Sequence, residues 1–531
     1  MSGDPPGADR GPSGAAEGSR GADPEPDADP ESEDAYEALY DRARRVGTLE
    51  KVDEALYWDE QVVMPSGGTP ARSAQRAAIA TARHRTLTDD RTGDLLEGLE
   101  PADLEGQRAA LVREVARERR DATRVPEDLV ERLQSALSDA QPAWREAKET
   151  DEFATFEPAL ERIVRLKREF ADRFDHDSRF ETLYAVGEFN EPYLPLSTVE
   201  RVLSRLREEL PPLIESIRES PVDPPALFEG SFPADEQRAL HRDALEYVGY
   251  DWDHGRFDEA PHPFSNGTPY DARVTTRFDE SNLLAGLTST LHEFGHATYT
   301  RGLPTEHLGT PLGTARSMVV HESQSRLWEN HVGRSRAFWE GFLPTVVDRF
   351  PGVAGSTDEA YAAANRVTVG PRRGTADELT YHLHILVRYE VERDLVAGEI
   401  DVAEVPAVWN DLTEEYLGIR PETDAEGCLQ DIHWSVGSIA SFQNYTLGSV
   451  LAAQLFAAAE RDVDGLTDRL RAGEFDPLRE WLREHVHRHG QRYRTPELVE
   501  RATGEPLAAD DFLAYVRGKF GDLYGLSDGA A

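Results

Sequence analysis

From Asp34 onward, apolar side chains recur at helical spacing. The stretch YEALYDRARRVGTLEKVDEALYWDE predicts a long helix that stops at MPSGG (Met64 to Gly68), a Pro/Gly breaker. Long charged segments with the same period follow, among them LEGQRAALVREVARERRDATRV and FATFEPALERIVRLKREFADRF. Alternating β-branched runs are scarce. The exception is DARVTTRF (Asp271 to Phe278), which reads as a short strand. The expected fold is therefore all-α dominated, with a short β element near 271–278. Residues 1–33 are mostly Gly, Pro, Asp and Ala. They bury too little apolar surface to offset ordering entropy, so this stretch reads as a disordered acidic tail. Residues 34–531 read as a single large helical domain, in which about 34–150 forms a helical wall or lid.

Charge narrows the choice of partners. The chain of 531 residues carries 100 Asp and Glu against 58 Lys and Arg, a formal net charge of −42. Of the basic residues, only Lys51, Lys148, Lys167 and Lys519 are lysine. A carboxylate-rich, lysine-poor surface suits concentrated salt, where screening makes self-repulsion tolerable. A halophilic protein is expected. The same charge argues against nucleic acid and anionic membrane as partners. The single cysteine, Cys428, excludes an intrachain disulfide framework, and no apolar run approaches a membrane span. No secretory signal pattern is visible, so a cytoplasmic protein is expected.

Ten of the 16 histidines fall between His254 and His433, which directs attention to about 254–450. There the sequence NLLAGLTSTLHEFGHATYTRG predicts a helix with Leu283, Leu284, Leu287, Leu291 and Phe294 as its apolar stripe and Gly302 as its stop. His292 and His296 stand four apart, one turn along one face, and can take adjacent corners of a metal's coordination sphere. Glu293 reaches the edge of that face, where it can serve the attacking water without being a ligand. HExxH also arises by chance on helices, so the pattern needs a third ligand. The position six residues after His296 is Gly302, not histidine. The next segment, VVHESQSRLWENH, supplies Glu322, and the Gly/Pro-rich GLPTEHLGTPLGTARS between them can turn the chain back. Glu306 and Glu329 are weaker candidates. His321, beside Glu322, reads as a substrate contact or a neighbour of the ligands.

These segments, together with HPF (His262 to Phe264), DARVT (Asp271 to Thr275) and GCLQDIHW (Gly427 to Trp434), resemble the Taq-type metallocarboxypeptidase family. RRGTAD matches that family's IRxxAD motif at Arg373, Ala376 and Asp377, with Arg372 in place of isoleucine. The likeness runs from about residue 35 to the C-terminus. It implies an elongated helical body with a deep groove, similar to the neurolysin and angiotensin-converting-enzyme peptidases. It also implies one divalent ion, zinc or cobalt, peptide substrates with a free C-terminal carboxylate, and a homodimer.

The resemblance also extends the site. Peptide hydrolysis needs an activated water, and Glu293 is the expected general base. His433 and Tyr445 are the expected donors to the developing oxyanion, since related helical peptidases use a His and a Tyr there. Arg373 and Arg273 are candidate anchors for the substrate carboxylate, because a guanidinium fork matches that group. Asp271 is expected to orient Arg273, and His262 to line the groove. His382 and His384, two apart, share no helix face and are given no metal role; HVHRHG (His485 to Gly490) sits at a helix end and reads as structural. Two other readings compete. One is a related HExxH oligopeptidase or dipeptidyl carboxypeptidase. The other is a helical peptide-binding protein with an inactive metal site.

Overall fold

The computed structural model describes residues 30–99, 104–187 and 190–526. Most of the expected tail lies outside these residues, and the four residues 30–33 already belong to the first helix, Pro30–Val62. That helix ends just ahead of Met64, at the Pro/Gly breaker. The fold is helical throughout, with one small sheet.

The sheet is larger than the single strand expected. Strand β1 (Phe257–Glu259) runs parallel to β3 (Asp271–Thr276), and β2 (Ser265–Thr268) runs antiparallel to it, in the order β1-β3-β2. Phe257 and Ser265 both register against Val274. The strands of three and four residues are too short to show a period of two, which is why only β3 was legible. Along β3 the alternation buries Ala272 and Val274 and leaves Asp271 and Arg273 together on the other side.

Two large apolar cores organise the described helices, beside a small cluster of Tyr381, Ile385 and Phe442. The larger gathers residues from Leu129 to Tyr524, including Trp328, Trp339 and Trp434. The smaller lies among the helices Pro30–Val62, Asp90–Glu97 and Gly106–Arg124, and meets the rest at Leu312. The helix Glu127–Thr150 contributes Leu129, Ala136 and Ala140 to the larger core. A buried ion pair joins the two layers: Arg316 Nη1 donates to Glu114 Oε1 at 3.0 Å, with both side chains almost fully buried. Asn266 of β2 donates to the Glu54 carbonyl at 2.9 Å, a second tie between them.

Candidate metal centre and its surroundings

The histidine helix runs from Leu283 to Gly302. Asn282 caps it, its side chain accepting the Ala285 N–H at 3.2 Å. Leu283, Leu287, Leu291 and Phe294 are buried, and Leu284 is half-buried. Thr290 donates to the Thr276 hydroxyl at 2.9 Å, which ties this helix to the sheet. Two glycines let neighbouring helices come close. A Cβ on Gly295 would lie 2.5 Å from the Gln324 carbonyl oxygen, so the glutamate helix, Met318–Arg326, packs directly on the histidine helix. A Cβ on Gly448 would lie 2.6 Å from Glu322 Cγ, which brings in a third helix, Gln443–Asp462.

Where these helices meet, His292, His296 and Glu322 each point one ligand atom inward, and the three atoms lie within 4.8 Å of one another. Glu322 Oε2 is 3.6 Å from Nε2 of both histidines. Two imidazole nitrogens and a carboxylate oxygen, nearly enclosed, are the donor set of an open divalent-metal site. The other Glu322 oxygen accepts Arg326 Nε at 2.7 Å. Glu293 is buried beside the cluster, and its Oε2 has no hydrogen-bond partner among the described residues. Burial raises its pKa to about 7, opposed by His292 and reinforced by the charges of Glu322 and Glu329.

Glu329 sits behind His292 rather than in the ligand ring. Its Oε2 accepts from His292 Nδ1 at 2.9 Å and from Arg326 Nη1 at 3.2 Å. Burial would raise the Glu329 pKa, but Arg326, His292 and Arg334 hold it well below the usual carboxylate range. On His292, burial works against protonation and the carboxylates Glu322 and Glu329 outweigh it. The placement of Glu329 has a local cause. Leu327–Gly333 winds as a π-helix, a wider turn that recurs at functional sites. His321 stacks on His296 with ring centroids 4.3 Å apart, and burial lowers its pKa to about 4.

Arg373 approaches from another segment. Its Nε and Nη2 donate to Asp431 Oδ2 and Oδ1 at 2.9 and 2.8 Å, a two-pronged pair. The Arg373 N–H donates to Gln430 Oε1 at 2.7 Å. His433 stands edge-on to Phe442 at 4.6 Å, its Nδ1 4.0 Å from Asp431 Oδ1. Burial, and then the charge of Arg388, lowers the His433 pKa to about 3, so the ring is neutral near pH 7. Tyr445 opens the helix Gln443–Asp462; burial raises its pKa, and Tyr381, Glu322 and Arg373 are among the groups acting on it. His262 keeps an exposed face, while partial burial and the charges of Arg373, Arg277 and His292 lower its pKa. The charge of His292 acts on His262, and that of Glu322 on Tyr445.

Arg273 and Asp271 form a pair of their own on β3. Arg273 Nε donates to both Asp271 oxygens, at 2.9 and 3.0 Å, and its guanidinium lies 5.5 Å from the Trp58 ring centre. Sequence reading gave no role to Arg326, Asp431 or Tyr381. Arg326 Cζ lies 4.6 Å from the Tyr381 ring centre, so it touches both carboxylates and this tyrosine. The helix Asp476–His485 ends at His485, so His485 and His489 do not share one helix face. A cavity of about 580 Å³ lies on the reverse side of the histidine helix, against Phe294, Ala297 and Arg301, and contains none of the ligand residues.

Comparison with known proteins identifies the family. Thermostable carboxypeptidase 1 of Thermus thermophilus is 38% identical over 507 residues, covering 93% of this chain and 99% of that protein. Carboxypeptidase 1 of Bacillus subtilis is 33% identical over 492 residues, covering 92% and 98%. The crystal structure of an M32 carboxypeptidase from Deinococcus radiodurans superposes with a TM-score of 0.88 at 36% identity, covering 93% of this chain and all of that one. Residues 38–520 match the family described as Carboxypeptidase Taq (M32) metallopeptidase, and the chain belongs to that family.

Proposed function

We propose that this metal-dependent carboxypeptidase removes single residues from the C-terminal ends of peptides, with zinc in the cluster of His292, His296 and Glu322, and cobalt as the alternative ion. The observations that carry the reading are that three-residue cluster and Arg373, a guanidinium set by a two-pronged pair to Asp431 in the segment that also carries His433. A bound divalent ion supplies Lewis acidity, polarising the scissile carbonyl and acidifying the attacking water. Glu293 takes the proton of that water and delivers it to the leaving amine. Tyr445 and neutral His433 donate to the oxyanion as it develops. Arg373 binds the substrate's terminal carboxylate, and His262 and His321 line its path. Arg273, held by Asp271, shapes the wall between the sheet and Trp58.

The test compares a short peptide with its C-terminally amidated form. We expect stepwise loss of single residues from the free acid and little cleavage of the amide. Equal cleavage of both would overturn the carboxylate anchor and favour an oligopeptidase. Release of dipeptides would favour a dipeptidyl carboxypeptidase. Absence of bound metal, with no response to chelator, would favour a peptide-binding protein.

The setting is part of the reading. We take residues 34–531 as one body, walled at its N-terminal side, with a deep groove over the cluster, and the protein as a cytoplasmic homodimer. Support for the dimer is the family likeness alone, and sedimentation tests it. No helix among the described residues is long and apolar enough to cross a membrane. The net charge of −42 supports halophilic behaviour, which predicts unfolding on dilution into low salt.

A further inference from the structure

The segment from Gln430 to Tyr445 carries Asp431, His433 and Tyr445, and much of it lies outside regular helix. A carboxylate from the neighbouring helix, Tyr381–Ala397, holds it. Glu392 is fully buried. Its Oε1 accepts the Trp434 indole N–H at 2.8 Å and Arg388 Nε at 2.7 Å. Its Oε2 accepts the Ala440 N–H at 2.7 Å. Ala440 is itself buried and has a φ of 64°, a left-handed conformation that a residue with a Cβ keeps only where its surroundings over-determine it.

Arg388 extends the network outward. It is 1% exposed, and its guanidinium lies 3.8 Å from the Phe442 ring centre and 4.9 Å from that of Trp434. Its Nη1 is 3.6 Å from Asp431 Oδ2, the oxygen that accepts Arg373 Nε. Charges therefore alternate along Glu392, Arg388, Asp431 and Arg373, from the core to the substrate side. An apolar pair of similar volume would fill the same space at lower desolvation cost. It could not hold the Ala440 N–H and Asp431 in place together.

We propose that Glu392 and Arg388 are positioning residues for substrate recognition: they fix the 430–445 segment and, through Asp431, aim Arg373 at the terminal carboxylate. This rests on the reading of Arg373 as the anchor. The experiment is a double-mutant cycle of Glu392→Gln with Arg373→Met, reading KM and kcat on a short free-acid peptide, with metal content and thermal unfolding measured alongside. Losing a charged hydrogen bond predicts that Arg373→Met raises KM by about ten-fold or more. Glu392→Gln should raise KM by a comparable factor with a smaller change in kcat and full metal content. In the Arg373→Met background it should change KM by less than roughly two-fold, because the two act as one unit.

Independent, multiplying effects on KM would overturn the proposal, as would an unchanged KM in Glu392→Gln. An unchanged KM in Arg373→Met would instead strike the anchor reading, and the proposal would fall with it. Arg388→Lys, which keeps the charge, carries the same test if Glu392→Gln does not fold. Loss of metal and of cooperative unfolding in both variants would assign the pair to stability alone.

Discussion

Glu329 Oε2 lies 2.9 Å from His292 Nδ1, while Glu322 faces the same ring at Nε2. The hydrogen bond fixes the tautomer, because a ring that donates from Nδ1 presents a lone pair at Nε2. Glu329→Gln keeps the size and loses the charge. Removing such a partner should weaken metal binding by about 10–100-fold, measured by chelator competition. An unchanged affinity would mean that packing alone orients His292.

Glu293→Gln removes the proton acceptor and keeps the shape. We expect kcat to fall by roughly 10²–10⁴-fold with metal content intact. Substantial retained activity would transfer the proton to another group and overturn the mechanism.

Tyr445→Phe and His433→Gln should each lower kcat by about 10²–10³-fold if they stabilise the transition state, with KM little changed. A rise in KM with kcat preserved would make either residue a ground-state contact instead.

The helices and the HExxH core were legible because their signals are local. The leucine stripe and Gly302 mark the histidine helix in the text of the sequence itself. Glu322 became a candidate once a turn-forming stretch made its return plausible. Glu329 was weighed only as a possible ligand, since its position depends on the π-wound turn, which a period of 3.6 does not anticipate. Arg273 and Arg373 looked alike as motif arginines. The partners that separate them, Asp271 two residues away and Asp431 in a distant segment, are a matter of tertiary packing. Nothing in the sequence singled out Glu392 and Arg388, whose partners Trp434, Ala440 and Asp431 lie in a distant segment.

Gly448→Ala tests the crowding around the third ligand. The added methyl would meet Glu322 Cγ and Cβ at 2.6 and 2.7 Å. Overpacking of this kind costs about 1–3 kcal/mol. We expect a lower melting temperature and weaker metal binding together. A lower melting temperature with metal affinity unchanged would show that Glu322 escapes the clash.

Stability should also fall in mild acid. His241, His331, His382 and His487 are buried, and burial lowers each pKa to about 3. In the unfolded chain they titrate near about 6.5, so below that pH the unfolded state binds more protons. Their contribution is complete above about pH 6.5 and is lost as pH falls towards about 3, at roughly 1.4 kcal/mol per pH unit for each fully titrating ring. Burial raises the pKa of Glu191, which offsets part of this. Melting temperatures between pH 7.5 and 5 check the sign, and His382→Gln should flatten the slope.

The close approach at Gly295 and Gly448 has a thermodynamic consequence. The ligand atoms come from two helices in separate stretches of chain, with a third packed on Glu322 at Gly448, so metal occupancy and the docking of these helices form one linked equilibrium. Free metal at a hundred times its Kd would add about 2.7 kcal/mol to the stability of the folded form. A chelator would then act as a denaturant, and a melting curve taken across metal concentrations would report the affinity of the site without any substrate present.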